Sequence, residues 1–165
     1  GLIVVGRDTD LNDYRNLGSV LLELAQQGKD ILVLQPKSGN LPIFEVLTSN
    51  RELPSLHFGT LKNLPFMPNY YPWQVKDTQE ISRIGFSVNR EVSEISIHDP
   101  AEQGWSWLQL DFVSSGGRFI VTTLPYLDNL LQDPMKQKAL GGLLLYATED
   151  HFIHNALPLG ESGNE

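Results

Sequence analysis

The chain has 165 residues, a net charge of −8 and no cysteine. That length suits one domain with a substantial core, and the acidity argues against nucleic acid or an anionic membrane surface as partner, because both need a basic patch. The missing cysteine excludes disulfides, thiolate-bound zinc, iron–sulfur clusters and a cysteine nucleophile, and no stretch approaches the roughly 20 apolar residues of a membrane span.

The sequence opens almost directly on Leu2-Ile3-Val4-Val5, a continuous β-branched run of the kind found in strands covered on both faces. So abrupt a start is expected of a domain excised from a larger protein, with Gly1 as a cloning remnant and any targeting information elsewhere. Asn12 or Asp13 is placed to cap a helix. That helix carries Leu17, Val20, Leu21, Leu24 and Ala25 at helical spacing and stops at Gly28. Ile31 to Leu34 is the next apolar strand, so the first third predicts a βαβ unit with a parallel sheet.

Pro36 to Pro72 contains six prolines and predicts an irregular segment, with Ile43 to Leu47 as a short strand or helix. Ile84, Phe86 and Val88, then Ile95 and Ile97, alternate with polar residues and predict two half-buried strands joined at Asn89-Arg90. Leu108, Leu110 and Phe112 alternate in the same way, which puts Trp107, Gln109 and Asp111 on the other face. Ser114 to Gly117 turns the chain, and Phe119-Ile120-Val121 returns as a strand nearer the centre of the sheet. Pro125 to Gln132 is a loop or short helical turn. Asp133 caps a last helix with Pro134 at its first position. Ala139, Leu140, Leu143, Leu144 and Ala147 form its buried stripe, and Gly141 and Gly142 suit close packing on the sheet. Residues 1–150 thus form a single α/β domain, followed by a polar tail over 151–165.

Chemistry-bearing motifs are few. Asp8 and Asp10 follow the first strand, where open α/β sheets place their ligand crevice. They are the candidates for metal-assisted hydrolysis or for contact with a small ligand, and the plainer reading makes them helix-capping residues. His151 and His154 fall too near the tail and lack the third ligand of a catalytic zinc. Ser106 lies at the start of a strand, without the glycine pair of a nucleophile elbow. No phosphate-binding glycine loop occurs. Trp107, Trp105 and Trp73 are candidates for stacking on a sugar ring, with core or interface packing as the alternative. No catalytic residue, metal ligand or cofactor is assigned.

The layout resembles the class I glutamine-amidotransferase-like domains, in particular the non-catalytic ones within large bacterial glycoside hydrolases of the β-galactosidase type. Leu22 to Gln27 with Gly28 and Ile31 to Leu34 matches the family's helix, glycine and apolar strand. Gly116-Gly117-Arg118 running into Leu124 looks like its glycine–arginine turn and following strand. Asp133-Pro134 with Leu140 to Ala147 looks like its closing helix, and Asn63 to Trp73 like its variable segment. Trehalose-utilisation-like domains share these traits.

The resemblance implies a flavodoxin-like, amidotransferase-like three-layer sandwich with a mostly parallel central sheet and an antiparallel hairpin over Leu108–Leu124. The family's active members use a cysteine, which has no position here. The implied role is therefore that of a non-catalytic accessory domain in a carbohydrate-active protein. It would pack against neighbouring domains or another copy and contact glycan through its tryptophans. The resemblance leans towards an exported or periplasmic protein.

Overall fold

A computed structural model describes residues 1–41, 54–59, 83–86, 95–97 and 107–149. Its centre is a five-stranded sheet built from β1 (Leu2–Val5), β2 (Asp30–Leu34), β8 (Gly117–Thr122), β7 (Trp107–Phe112) and β4 (Ser55–Gly59), in that spatial order. β1, β2 and β8 run parallel, while β7 is antiparallel to both β8 and β4. The fold is mixed α/β, and two of the sheet's four pairings are parallel and two antiparallel, with β7 alone running against the other four strands, where a mostly parallel sheet with one antiparallel hairpin was expected. The added antiparallel partner is β4, which lies inside the proline-rich stretch that the sequence marks as irregular. β3 (Ser38–Leu41) lies there too, and it pairs with β5 (Arg83–Phe86) and β6 (Ile95–Ile97) in a second, three-stranded sheet.

Ser-Gly-Asn-Leu has little intrinsic strand preference, so pairing decides the conformation of β3. Leu11 N–H donates to Ser38 O at 2.8 Å, and Asp10 bridges to Ser38. In the second sheet Ile84 pairs with Ile97 and Phe86 with Ile95, as the alternation predicts. Ile43 to Leu47, the Asn89-Arg90 turn and the tail over 151–165 lie outside the described residues.

Among the described residues, one helix covers each face of the central sheet. α1 (Asp13–Gln26) buries Leu21, Leu22 and Ala25 against Ile31, Val33, Phe119 and Val121. Val20, expected in this stripe, is half exposed, and Leu22 takes its place. α1 ends in a Schellman motif. Gly28, at φ 104°, donates to Ala25 O, and Lys29 donates to Leu24 O, each at 3.0 Å. α2 (Pro134–Thr148) packs Ala139, Leu143 and Ala147 on Leu32, Leu34, Ile120 and Trp107. Its start follows the sequence, with Asp133 Oδ1 accepting from Lys136 N–H at 3.1 Å and Pro134 in the first turn. Gly141, expected against the sheet, faces outward, and a Cβ there would meet nothing within 4 Å.

The hairpin glycines have separate duties. Gly116 adopts φ 86° and donates to Phe112 O at 2.8 Å, closing the β7–β8 turn. Gly117 has no such φ, but a Cβ on it would overlap the carbonyl oxygen of Ala25 and come within 2.9 Å of that of Lys29. The last turn of α1 therefore sits directly on the first residue of β8. Both obstacles are backbone and cannot rotate aside. Gly117→Ala is accordingly expected to destabilise the domain by about 2–3 kcal/mol through overpacking. Gly141→Ala, on an open helical surface, should stabilise it by up to about 1 kcal/mol. Urea unfolding of the two variants checks both signs, and a neutral Gly117→Ala would contradict this packing.

Candidate functional site

The largest set of polar side chains in the core lies on the α2 face of β7 and β8. The period-2 geometry of β7 sends Trp107, Gln109 and Asp111 to that face, as the alternation predicts. The face is not open, however, because α2 lies across it and all six residues of β7 are buried. The register then pairs Asp111 with Arg118, the first side chain after the turn. Arg118 Nε donates to Asp111 Oδ1 at 2.6 Å, and its terminal nitrogen Nη2 donates to Oδ2 at 3.3 Å. Gln109 Nε2 donates to the same carboxylate at 3.1 and 3.3 Å. Its Oε1 accepts from Trp107 Nε1 at 3.1 Å and from the Tyr146 hydroxyl at 3.0 Å. Those two donors fix the orientation of the amide.

Arg118 also reaches α2. Its Nη1 donates to Tyr146 O at 2.8 Å, and its guanidinium carbon lies 4.4 Å from the centre of the Tyr146 ring. A cation here supplies the donor that a helix C-terminus lacks and complements the helix dipole, with a cation–π contact added. Burial raises the Tyr146 pKa, while the Arg118 cation acts in the opposite direction. On the far side, β4 brings the His57 Nε2 to 4.0 Å from Asp111 Oδ2, within electrostatic reach but short of a hydrogen bond. Burial is the main cause that lowers the His57 pKa. Asp111 opposes this effect and Arg118 adds to it.

The second region lies beyond the carboxyl ends of β1, β2 and β8. Gln35, which follows β2, donates its N–H to Thr122 O at 2.8 Å and accepts from Asp8 N–H at 3.0 Å. Its side chain accepts from Leu127 N–H at 2.9 Å and donates to Asp128 Oδ1 at 3.1 Å. Asp128 also takes Arg7 at 2.9 Å, and its carbonyl accepts from Lys136 Nζ at 2.8 Å. Asp8, Gln35 and Asn129 hold positive φ angles of 64°, 47° and 55° in these three loops, conformations that non-glycine residues adopt at some cost. Among the described residues, the hydroxyl of Thr123, just past β8 and 5% exposed, has no hydrogen-bond partner.

The residues singled out from sequence separate in space. Asp8 is 78% exposed beside Arg7 at 3.7 Å. Asp10 accepts from Asn12 N–H at 2.9 Å through its side chain and from Asp13 N–H at 3.0 Å through its carbonyl. Asp10 thus organises the entry to α1, while the side chain of Asn12 forms no capping bond. Trp107 is fully buried, so its ring offers no free face to a sugar. Its outward orientation was expected because the strand pattern shows two faces but not the helix that covers the second. Trp73 and Trp105 lie outside the described residues, as do His151 and His154. Among the described residues no group of three His, Asp and Glu side chains is arranged to hold a metal ion, and no helix is long and apolar enough to cross a membrane. The sequence placed Gln109 and Asp111 beside Trp107 and Arg118 after the turn but assigned none of them, nor Tyr146 or His57, a place in a site, although the Asp111–Arg118 pairing follows from the hairpin once its four-residue turn is counted.

Removing one partner of this ion pair leaves a buried charge unmatched, so Arg118→Met or Asp111→Leu alone is expected to cost about 3–5 kcal/mol. The double variant should cost well under the sum of the two. A double-mutant cycle by urea unfolding measures this coupling, and additive effects would show that the pair does not act as a unit.

Comparison with protein-family models, curated proteins and solved structures returned no match.

Proposed function

We propose that this chain is a non-catalytic accessory domain of a larger carbohydrate-active protein, with an amidotransferase-like three-layer fold that serves packing between domains or subunits. The observation that carries the reading is the internal engagement of the polar core. Asp111, Gln109, Arg118 and Tyr146 direct their donors and acceptors at one another, as scaffold residues do, and the chain has no cysteine for the chemistry of active amidotransferases. The packing role draws support from Leu131 and Leu145, 85% and 74% exposed on the α2 side of the sheet, with Met135 half exposed in the first turn of α2. Glycan contact, if part of this role, falls to Trp73 or Trp105, since Trp107 is enclosed.

A second reading is favoured by one observation. The buried hydroxyl of Thr123 lacks a partner at the carboxyl ends of the strands, where open α/β sheets bind small ligands. A small molecule that binds the folded chain would raise its apparent stability with the logarithm of the ligand concentration above its Kd.

Three measurements test these readings. The reading frame around this segment should encode a glycoside hydrolase-like protein, and a frame confined to this domain would overturn the accessory role. In that parent, Leu131→Glu with Leu145→Glu should weaken domain or subunit association by tenfold or more, while the melting temperature of the isolated domain changes little. A thermal-shift screen of sugars, nucleotides and carboxylic acids addresses the second reading. A rise abolished by Thr123→Val would support it, and a flat screen would remove it.

A further inference from the structure

We propose that His57 makes the docking of edge strand β4 on the central sheet sensitive to proton concentration, with β4 held when the imidazole is neutral and loosened when it is charged. The register places His57 directly across from Gln109, so the ring lies beside the Asp111–Arg118 pair. Its side chain is 26% exposed and its Nε2 lies 4.0 Å from Asp111 Oδ2. The ionisable groups that act on it among the described residues are Asp111 on β7 and Arg118 on β8.

A charged imidazole finds little compensation in this position. Among the described residues the nearby anion is Asp111, which already accepts two bonds from Arg118 and two contacts from Gln109. Protonation would set two cations against a single carboxylate in a largely enclosed place, where a charge is costly unless paired. The strand that would yield is β4. Among the described residues it stands at the edge of the sheet and pairs with β7 alone, and elements held on one side open locally at lower free energy than central ones.

The direction follows from linkage. The folded-state pKa of His57 lies below its ordinary value of 6.5, so the unfolded or opened strand binds the proton more readily. The contribution to docking is complete above pH 6.5. It is lost as the pH falls from there towards the folded-state pKa, and changes no further below it.

Amide hydrogen exchange over Ser55–Gly59, corrected for the intrinsic rate at each pH, tests this proposal on the whole chain. Between pH 8 and 6.5 protection should be constant. Below that it should fall by up to about tenfold per pH unit, the limit for one linked proton, while β1 and β2 hold theirs. His57→Gln, which cannot take up the proton, should remove the response. A flat profile in the unmodified chain would overturn the proposal, as would an unchanged response in His57→Gln. Should that variant not fold, the imidazole titration of the unmodified chain decides: a midpoint below 6.5 supports the proposal, and one at or above 6.5 refutes it.

Discussion

The ion pair between Asp111 and Arg118 is the interaction on which the other layers depend. It lies in the β7–β8 hairpin, but its bonds extend to α2 and, through the Arg118 backbone, to β2. The guanidinium ties the hairpin to the C-terminal turn of α2 through Tyr146 O, and the carboxylate orients Gln109, which in turn receives Trp107 and Tyr146. The backbone N–H of Arg118 donates to Asp30 Oδ1 at 3.2 Å, linking the hairpin to the start of β2. Buried pairs of this kind are weak evidence for stability, since removing two charges from water costs nearly as much as their attraction returns. Register is where this pair acts. A hairpin shifted by one or two residues would leave both charges buried without partners, whereas the aliphatic pairs around them would tolerate the shift far better.

The two ends of the sheet are consolidated by different means. At the hairpin end, close backbone approach leads: the last turn of α1 rests on Gly117, and the Ser115 hydroxyl reaches Ala25 O at 3.5 Å. At the opposite end the connecting loops are fastened by side chains. Gln35 and Asp128 join the segments after β1, β2 and β8, with Arg7 and Lys136 as outer partners. Three non-glycine residues held at positive φ there are a cost that those bonds offset. That end has backbone strain and an unmatched threonine hydroxyl, while the hairpin end has its polar groups paired. If the fold retains a capacity to bind, physical economy favours the end that is less fully satisfied.

Much of the architecture was legible in the sequence, because it rests on local chemistry. The βαβ unit, the Gly28 stop, the Gly116-Gly117 turn, the Asp133-Pro134 start and the central position of Phe119 to Val121 each depend on residues within a few positions of one another. The misreadings share a different origin. β3 and β4 are strands through pairing with distant partners, and Ser-Gly-Asn-Leu has little local tendency to extend. Leu22 takes the place of Val20 because the buried stripe of α1 is centred on Leu21, Leu22 and Ala25, a rotation that periodicity alone does not reveal. Gly141 looked like a packing residue, but glycine in a helix can equally mark a surface that nothing covers. The candidate site was the least legible part. Alternation correctly placed Trp107, Gln109 and Asp111 on one face, but a polar face normally implies water, and here it implies a helix.

That inversion bears on function. A tryptophan beside a glutamine and an aspartate on an open strand would be a plausible carbohydrate platform, with an apolar ring to stack and polar groups to bond hydroxyls. Enclosed under α2, the same three residues form the inner wiring of the domain, and their donors and acceptors serve Tyr146 and Arg118. The indole N–H that might have met a sugar hydroxyl meets Gln109 Oε1. To free Trp107 for a ligand, α2 would have to leave, exposing Ala139, Leu143 and Ala147 with it and stranding the guanidinium of Arg118 without its carbonyl. Those costs fall on the same element, so the motion would amount to local unfolding. The residues that make this region chemically rich are therefore the ones that hold it shut.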